Sequence, residues 1–392
     1  METLNNTYKS IDQCLCCGSN LQIILDLGNH PPANSYLKTQ DEQEYYFPLK
    51  LNYCNRCTHL QLSHAVDPDI LFKNYLYVSG TTITLKRYFE SFVNLVTSHK
   101  NKPNLKILDI ACNDGSQLDA FKSCGHLTYG VDPAVNLYDI SSKNHNIVCD
   151  YFTEDSVSKF GTKFDVIIAQ NVFAHNSYPK EFLLACKKYL EDDGIIFIQT
   201  SQADMIKYKQ FDTIYHEHIS FFSPLSMKTL VNSVGLYLNE VLKTDIHGNS
   251  YVFIISNLES ENELVEDNLN LDTVKNFAKS VDSTIENLKN QINHFKNAGY
   301  MIVGYGAAAK GNTVLNYGKI ELDYIVDDNP LKQGLYTPGM KIPIVSLDFI
   351  KSIGGDIAWL PLSWNFFDEI KQKIIQSRPN KDDRFIKINF TN

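Results

Sequence analysis

Four consecutive residues, Tyr215, His216, Glu217 and His218, bring a phenol, two imidazoles and a carboxylate together in this chain. A neutral histidine can remove a proton, a neighbouring carboxylate can orient it, and a phenol can donate to a developing oxyanion. Metal binding fits this spacing less well, because histidines two positions apart do not share a helix face and a third ligand is not evident. We therefore predict a proton-transfer site, with a polar loop that only covers an active site as the alternative.

Two Cys-x-x-Cys pairs near the N-terminus form a second group of reactive side chains, Cys14 with Cys17 and Cys54 with Cys57. Each pair lets two thiolates converge on one ion, and two pairs complete a tetrahedral zinc site. Four protein ligands leave no open coordination position, so the zinc is predicted to be structural. Cys16 is a spare thiol with poorer spacing, and reduced or redox-active cysteines are the alternative interpretation.

Residues 105–118 predict a nucleotide-binding turn. An apolar run suited to a buried strand ends near Asp109, a loop of small and polar residues includes Ala111, Asn113 and Gly115, and a helical pattern follows. Such a loop lets a ligand approach the backbone, and the carboxylate at the strand end points towards it. An ordinary tight connection is the alternative, since any turn between a strand and a helix can need a glycine.

The next predicted strand, residues 127–131, ends directly before Asp132. An acidic residue at that place is the usual partner of the ribose hydroxyls of an adenosine ligand. A further strand, residues 164–169, leads towards Asn171, and an acidic turn at residues 191–194 precedes the fifth strand. This succession resembles class I S-adenosylmethionine-dependent methyltransferases and lacks the GxGxxG of a dehydrogenase. S-adenosylmethionine is therefore the expected cofactor.

A second turn of the same type lies near the C-terminus, where a predicted strand at residues 301–303 leads into Gly306, Ala307, Lys310 and Asn312. The small residues allow close backbone approach at a helix start, and Lys310 adds a charge that attracts phosphate. A Gly/Ala turn that serves only helix–sheet packing is the alternative.

Composition argues against several partners. The net charge is −9 without a long basic run, which argues against nucleic acid. The apolar segments are too short to span a membrane, and residues 1–6 lack the order of a signal peptide. Nine cysteines, an odd number, fit a reducing compartment. We expect a cytoplasmic protein with neither nucleic acid nor membrane as a partner, and its oligomeric state stays open.

The elements that must position these residues predict an α/β protein of three units. We expect a four-cysteine zinc-binding module, a Rossmann-like methyltransferase domain with a seven-stranded sheet, and a C-terminal Rossmann-like domain that helps to bind substrate, over residues 1–75, 76–265 and 266–392. Two antiparallel strands, at residues 236–244 and 251–255, would complete the seven-stranded sheet.

The order of a four-cysteine zinc module, a class I core, the Tyr-His-Glu-His loop and the GYGAAAKGN segment resembles the nucleotide-diphosphosugar C-methyltransferases of deoxysugar biosynthesis, over essentially the whole chain. Those enzymes methylate 4-keto-6-deoxyhexoses, commonly at C3. Two features depart from the family pattern. Ala111 stands where glycine is usual, and residues 247–251 differ from a glycine-richer, often basic segment, which affects the expected sugar or nucleotide specificity.

The resemblance implies a role for each candidate residue. His218 is the expected general base, and the residues expected around the sugar are Glu217, Tyr215, Tyr77 and His175. The residues expected to contact the methyl donor are Asp109, Ala111, Asn113, Gly115, Asp132 and Asn171. The C-terminal half is expected to hold the nucleotide-diphosphosugar through Gly306, Ala307, Lys310 and Asn312.

Elementary chemistry agrees with this assignment. Carbon is a poor nucleophile towards a sulfonium methyl group unless a neighbouring ketone allows an enolate to form. The protein then needs a base, a donor to the enolate oxygen, and in-line placement of the methyl group. His218 can be the base, and either Tyr77 or Tyr215 the donor. The alternative functions are O- or N-methylation of a nucleotide-sugar, and a non-catalytic zinc-bearing binding protein.

Overall fold

The computed structural model describes residues 7–72, 83–200, 204–244, 246, 249–260 and 269–390. That part of the chain forms four sheets, of two, seven, four and five strands. None of its helices is both long enough and apolar enough to cross a lipid bilayer.

An antiparallel sheet organises the N-terminal unit. Its elements are β1 (Tyr8–Ser10), β2 (Gln22–His30), β3 (Phe47–Tyr53), β4 (Leu60–Leu62), β5 (His64–Val66) and α1 (Pro68–Phe72). Strands β2, β3 and β4 pair in that order, and β1 pairs with β5. One Cys-x-x-Cys pair precedes β2 and the other lies between β3 and β4, so the sheet brings the two pairs together.

The central unit alternates strands and helices. Its elements are α2 (Ile83–His99), β6 (Lys106–Ile110), α3 (Ser116–Ser123), β7 (Leu127–Val131), α4 (Val135–Ser141), β8 (Asn146–Val148), α5 (Glu154–Ser158), β9 (Phe164–Gln170), α6 (Pro179–Tyr189), β10 (Leu190–Thr200), β11 (Ser220–Phe221), α7 (Pro224–Ser233), β12 (Tyr237–Thr244) and β13 (Ser250–Ser256). The large sheet has the order β12-β13-β10-β9-β6-β7-β8, with β13 antiparallel to its neighbours. The predicted seven-stranded Rossmann-like sheet is confirmed.

Central strands of this sheet are covered on both faces, and their sequences show it. Strand β9 lies between β6 and β10 and is buried at every residue but the last, so it lacks the alternation of a half-exposed strand. All the parallel strands end at one edge, where open α/β sheets bind their ligands. Asp109, Asp132 and Asn171 lie at this edge.

The acidic segment at residues 191–194 differs from its prediction as a turn before the fifth strand. Strand β10 already begins at Leu190, which pairs with Phe164, and the register then shifts so that Ile195 pairs with Val166. The extra residues form a bulge that leaves the carboxylates of Asp192 and Asp193 in solvent, so the strand continues without burying charge.

A parallel sheet forms the C-terminal unit, as predicted. Its elements are α8 (Leu271–Asn297), β14 (Met301–Tyr305), α9 (Ala309–Gly318), β15 (Tyr324–Val326), β16 (Ile344–Val345), α10 (Leu347–Ser352), β17 (Ile357–Pro361), α11 (Phe367–Ser377) and β18 (Arg384–Phe385). The strand order is β16-β15-β14-β17-β18. Helix α8 presents a stripe of buried residues, Val274, Phe277, Val281, Ile285, Leu288 and Ile292, to a core that it shares with Leu25 and Leu51 of the N-terminal unit.

The segment that carries the Tyr-His-Glu-His loop is held between all three units. Strand β11 pairs with β4, so Ser220 lies opposite Gln61, and the Leu62 amide donates to the Ile219 carbonyl at 2.8 Å. On the other side, Thr313 of α9 donates to the Ile214 carbonyl at 2.9 Å. The fold therefore fixes both ends of the loop from outside the central sheet.

Candidate functional site: a zinc centre and an active-site cavity

The four predicted zinc ligands converge. The sulfur atoms of Cys14, Cys17, Cys54 and Cys57 all lie within 4.8 Å of one another, and the Cys14–Cys57 and Cys17–Cys54 pairs are each 3.5 Å apart. Tetrahedral zinc with Zn–S bonds of about 2.3 Å places its ligands about 3.8 Å apart, so this donor set fits the ion. Cys16 is buried beside the group but is not one of the four.

The two knuckles have the same local design. The Gly18 amide donates to the Cys14 carbonyl at 2.8 Å, and the Thr58 amide donates to the Cys54 carbonyl at 2.9 Å. Gly18 and Thr58 both have left-handed backbone conformations, with φ of 70° and 59°. The turn at each knuckle thus aims both thiols of a pair at one point, as a closed structural metal site requires.

A cavity of about 370 Å³ opens at the carboxyl edge of the large sheet. The predicted donor-binding residues that line it are Asp109, Ala111, Asn113, Asp132 and Asn171. Gly115 does not line the cavity but shapes its loop, because it has φ +82° and a Cβ there would lie 3.1 Å from His145 Cδ2. Ala111 and Asn113 also take left-handed conformations, so the loop curls tightly around the end of β6.

Hydrogen bonds from backbone amides hold the Asp132 carboxylate against this loop. One carboxylate oxygen accepts from the Asn113 amide and the other from the Ala134 amide, both at 2.8 Å. A carboxylate has about four acceptor sites, so Asp132 retains capacity for ligand hydroxyls. Burial, then the charges of Asp132 and Asp114, raise the pKa of Asp109 well above its usual range. A cationic ligand in the cavity would oppose that shift.

The cavity also carries unsatisfied polar atoms. Among the described residues, no hydrogen-bond partner is present for the buried atoms Gln117 Oε1, Asn171 Oδ1 and Gln199 Nε2, and all three residues line the cavity. Buried polar atoms without partners are destabilising. A ligand with hydroxyl, amino and carboxylate groups would satisfy them, so the cavity fits a small polar cofactor.

His218 is held in one tautomer. Its Nδ1 donates to the Thr213 carbonyl at 2.8 Å, so in the neutral ring Nε2 carries the lone pair. The Tyr215 hydroxyl lies 2.8 Å from Nε2. An imidazole with a fixed ring and a phenol at its Nε2 is thus present in the predicted loop.

The other two members of the loop face different partners. His216 points away from the central unit, and its Nε2 donates to the Phe47 carbonyl of β3 at 3.2 Å. Burial lowers the pKa of His216 to about 4. Glu217 is buried and accepts from the Asn34 amide at 2.6 Å.

His175 connects the loop with the cavity. Its ring lines the cavity, stacks on Phe72 at 5.6 Å between centroids, and lies 5.3 Å from the ring of His218. Burial lowers the pKa of His175 to about 4. The His218 imidazole is therefore one ring removed from the cavity. Tyr77, the other candidate phenol, lies outside the described residues.

The predicted substrate residues of the C-terminal unit gather around its own turn. The Lys310 ammonium lies 5.3 Å from the centre of the Trp364 ring, and the Trp364 Nε1 donates to the Asp212 carboxylate at 2.6 Å. Burial lowers the pKa of Lys310, and the charge of Asp212 opposes this shift. Ala307 and Asn312 border a space of only about 10 Å³.

No sequence pattern identified several of the residues found at this site. Asn34, Tyr36 and Lys332 reach it from loops whose contacts span long stretches of chain. Gln199 could have been found, because it lies near the carboxyl end of a central strand, where open α/β sheets place binding residues.

Three protein-family models match consecutive parts of this chain. They describe a zinc binding domain over residues 14–72, a methyltransferase domain over residues 84–241, and a C-methyltransferase C-terminal domain over residues 253–387.

Individual proteins show two kinds of similarity. The C-methyltransferase NovU of Streptomyces niveus is 28% identical over 391 residues, which cover 94% of this chain and 93% of that protein. A ubiquinone biosynthesis O-methyltransferase of Bartonella tribocorum is 32% identical over 102 residues, or 25% of this chain and 41% of that protein. The solved plantazolicin methyltransferase BpumL, in complex with SAH, aligns at 16% identity with a TM-score of 0.38, covering 45% of this chain and 87% of that one.

Proposed function

We propose that this chain, which matches a zinc binding domain, a methyltransferase domain and a C-methyltransferase C-terminal domain in that order, methylates a carbon of a nucleotide-diphosphate-linked 4-keto (deoxy)hexose, at C3. The methyl donor is S-adenosylmethionine. We expect the reaction in the cytoplasm, since a thiolate zinc centre and free cysteines suit a reducing compartment.

The observation that best supports this proposal is the tautomer in which His218 is held. Removal of the proton from the carbon beside a ketone needs an imidazole whose reactive nitrogen is unprotonated and aimed. The Thr213 carbonyl fixes the proton on Nδ1, which leaves Nε2 as the base. The Tyr215 hydroxyl, 2.8 Å from Nε2, would turn from that nitrogen to the enolate oxygen as Nε2 takes the proton.

The chain's own residues provide the rest of the reaction's needs. Asp132 would hold ribose hydroxyls, and Asp109, Asn113 and Asn171 would hold the remainder of the donor against the loop at the end of β6. When bound, S-adenosylmethionine supplies an electrophilic methyl group. His175, with its neutral ring, lines this cavity beside His218 and would help to shape the space for the sugar.

The nucleotide-diphosphate would be held by the C-terminal unit. Lys310 lies at the start of α9, close to Asp212, which comes just before the Tyr-His-Glu-His loop in the chain. A lysine ammonium there can pair with a phosphate, and the left-handed Gly306 and small Ala307 keep the turn narrow. Asn312 adds a buried amide on the same helix.

Incubation of the purified protein with S-adenosylmethionine and a panel of nucleotide-linked sugars tests this proposal. Mass spectrometry should show one added methyl group on 4-keto sugars and none on the matched 4-hydroxy sugars. Transfer to 4-hydroxy sugars would indicate O- or N-methylation instead. Donor binding without product on any sugar would contradict the proposed activity.

A further inference from the structure

The Glu217 carboxylate of the Tyr-His-Glu-His loop is hydrogen-bonded to the N-terminal unit. Glu217 is 3% exposed, and its Oε1 accepts a hydrogen bond from Asn34 Nδ2 at 2.6 Å across 183 positions of sequence. An ionised carboxylate can only accept, so the Asn34 amide must present its NH2 group to it. This geometry fixes which way the amide faces.

The C-terminal unit determines where Asn34 lies. Leu37 and Tyr336 exchange backbone hydrogen bonds of 3.0 and 2.8 Å, which attaches residues 34–37 to the C-terminal loop. The Tyr36 hydroxyl donates to the Ala307 carbonyl at 2.6 Å and lies 3.3 Å from Asn34 Oδ1. A tyrosine anchored on the second turn thus supports the amide that holds Glu217.

A half-buried cation completes this connection. Lys332 donates to the same Ala307 carbonyl at 2.8 Å, lies 3.7 Å from Asp327, and stands 5.2 Å from the centre of the Tyr36 ring. The Ala307 carbonyl therefore accepts from two side chains, one from the N-terminal unit and one from the C-terminal unit. Contacts run without a gap from the second turn through Tyr36 and Asn34 to Glu217.

We propose that Asn34 is a positioning residue that fixes the Glu217 carboxylate within the Tyr-His-Glu-His loop and couples the placement of the C-terminal turn to that loop. This proposal rests on the proposed function, because it assigns Asn34 to that reaction. Asn34 acts through Glu217 and not on the substrate.

Replacement of Asn34 should therefore impair turnover more than binding. Loss of the donor leaves a buried carboxylate with one partner fewer, and the Glu217 side chain can then leave its place in the loop. A hydrogen bond to a charged group corresponds to about 10- to 150-fold in rate, so Asn34→Ala and Asn34→Asp should lower kcat by about that factor. Asn34→Asp keeps the shape and replaces the donor by an acceptor, so it should be the more damaging change.

The test measures kcat, KM for the keto-sugar, and calorimetric affinity for S-adenosylhomocysteine in wild type, Asn34→Ala, Asn34→Asp and Asn29→Asp. Asn29 is an exposed residue of β2 in the same unit, so its variant is the matched control. We expect only kcat to fall in the Asn34 variants, with KM and donor-site affinity within about twofold of wild type. An unchanged kcat, or a loss confined to KM, would overturn the proposal.

A measurement without substrate separates this proposal from the proposed function. Unfolding midpoints of Asn34→Ala, Glu217→Ala and the double variant form a double-mutant cycle, which isolates the contact between the two side chains. Non-additive shifts support the Asn34–Glu217 contact even if the wild type methylates no keto-sugar. Additive shifts would overturn it even if the enzyme is active.

Discussion

The first nucleotide-type turn, at residues 105–118, and the second, at residues 301–312, are held by corresponding hydrogen bonds. In the first, the Ala111 amide donates to the Val131 carbonyl at 2.7 Å; in the second, the Gly306 amide donates to the Val326 carbonyl at 2.7 Å. In both, the carboxylate at the end of the following strand accepts from the loop amide and from the amide two residues after itself. These pairs are Asn113 and Ala134 with Asp132, and Ala307 and Asn329 with Asp327.

What surrounds the two turns differs. The first opens on a cavity of about 370 Å³, with buried polar atoms that have no hydrogen-bond partner in the described part of the chain. At the second, Tyr36 and Lys332 both bind the Ala307 carbonyl, and the nearby space is about 10 Å³. A strand–loop–helix pattern therefore specifies the backbone geometry of a nucleotide-type turn. Side chains from outside the turn, such as Tyr36 and Lys332, decide whether a ligand can enter it.

Loss of zinc should have the largest effect on stability, because the N-terminal unit packs against both the central unit, which carries the first turn, and the C-terminal unit, which carries the second. Cys54→Ser should abolish stoichiometric zinc and lower the free energy of unfolding by about 5 kcal/mol or more, part of the roughly 10–16 kcal/mol that zinc contributes in isolated zinc fingers. Metal analysis and thermal unfolding measure both. Cys16→Ser is the control and should retain zinc; a Cys54→Ser protein that folds as well as wild type would contradict the structural role.

Matched changes of the two strand-end carboxylates should separate the turns by function. Asp132→Ala should weaken S-adenosylhomocysteine binding by about 10- to 150-fold, the equivalent of one charge-assisted hydrogen bond. Asp327→Ala removes the carboxylate that accepts from the two corresponding backbone amides of the second turn. It should leave the affinity for S-adenosylhomocysteine within about twofold. Calorimetry with equal losses in both variants, or with none, would place the donor elsewhere.

The first position of each turn should respond differently to a side chain. Gly306 has φ +89°, and a Cβ there would lie 2.5 Å from Ser363 Oγ, so Gly306→Ala should lower the free energy of unfolding by about 1–3 kcal/mol. Ala111 already carries a Cβ at φ 60°, and Ala111→Gly should change stability by less than about 1 kcal/mol. Denaturant unfolding of both variants tests the difference. A Gly306→Ala protein as stable as wild type would show that the second turn is not tightly filled.

Lys310 tests whether the second turn still serves substrate binding. Lys310→Ala should raise KM for the nucleotide-sugar by about tenfold, the equivalent of one modest charge contact, without changing donor affinity. Lys289→Ala, at an exposed position of α8, is the control. If only the unfolding midpoint falls, the lysine serves Asp212 and Trp364 and not a phosphate.

Local patterns in the sequence were enough for much of this organisation. The Cys-x-x-Cys pairs, the turn before Gly115 and the seven strands each depend on neighbours within a few residues, and all three are confirmed. The links that join the units could not be predicted in this way. The Asn34–Glu217 and Tyr36–Ala307 hydrogen bonds depend on how whole units pack, and an asparagine or a tyrosine in a loop carries no pattern that identifies such a partner.

The roles of His216 and His218 show how much the structure adds to the proposal. The residue types of the loop alone allow either histidine to be the base. In the folded chain His216 donates to the Phe47 carbonyl of the zinc-binding unit, whereas His218 presents Nε2 to Tyr215 beside the cavity wall. We therefore propose His218 as the base and use His216 as its control.

The most direct measurement of this assignment is wash-in of solvent deuterium at the carbon beside the ketone, with the keto-sugar and S-adenosylhomocysteine bound. Wild type should exchange that hydrogen. His218→Ala should exchange it about 10²- to 10⁴-fold more slowly, the usual contribution of a general base, while both ligands still bind. His216→Ala should exchange at a rate close to that of wild type if it folds. Equal exchange in wild type and His218→Ala, or a loss found only in His216→Ala, would contradict His218 as the base.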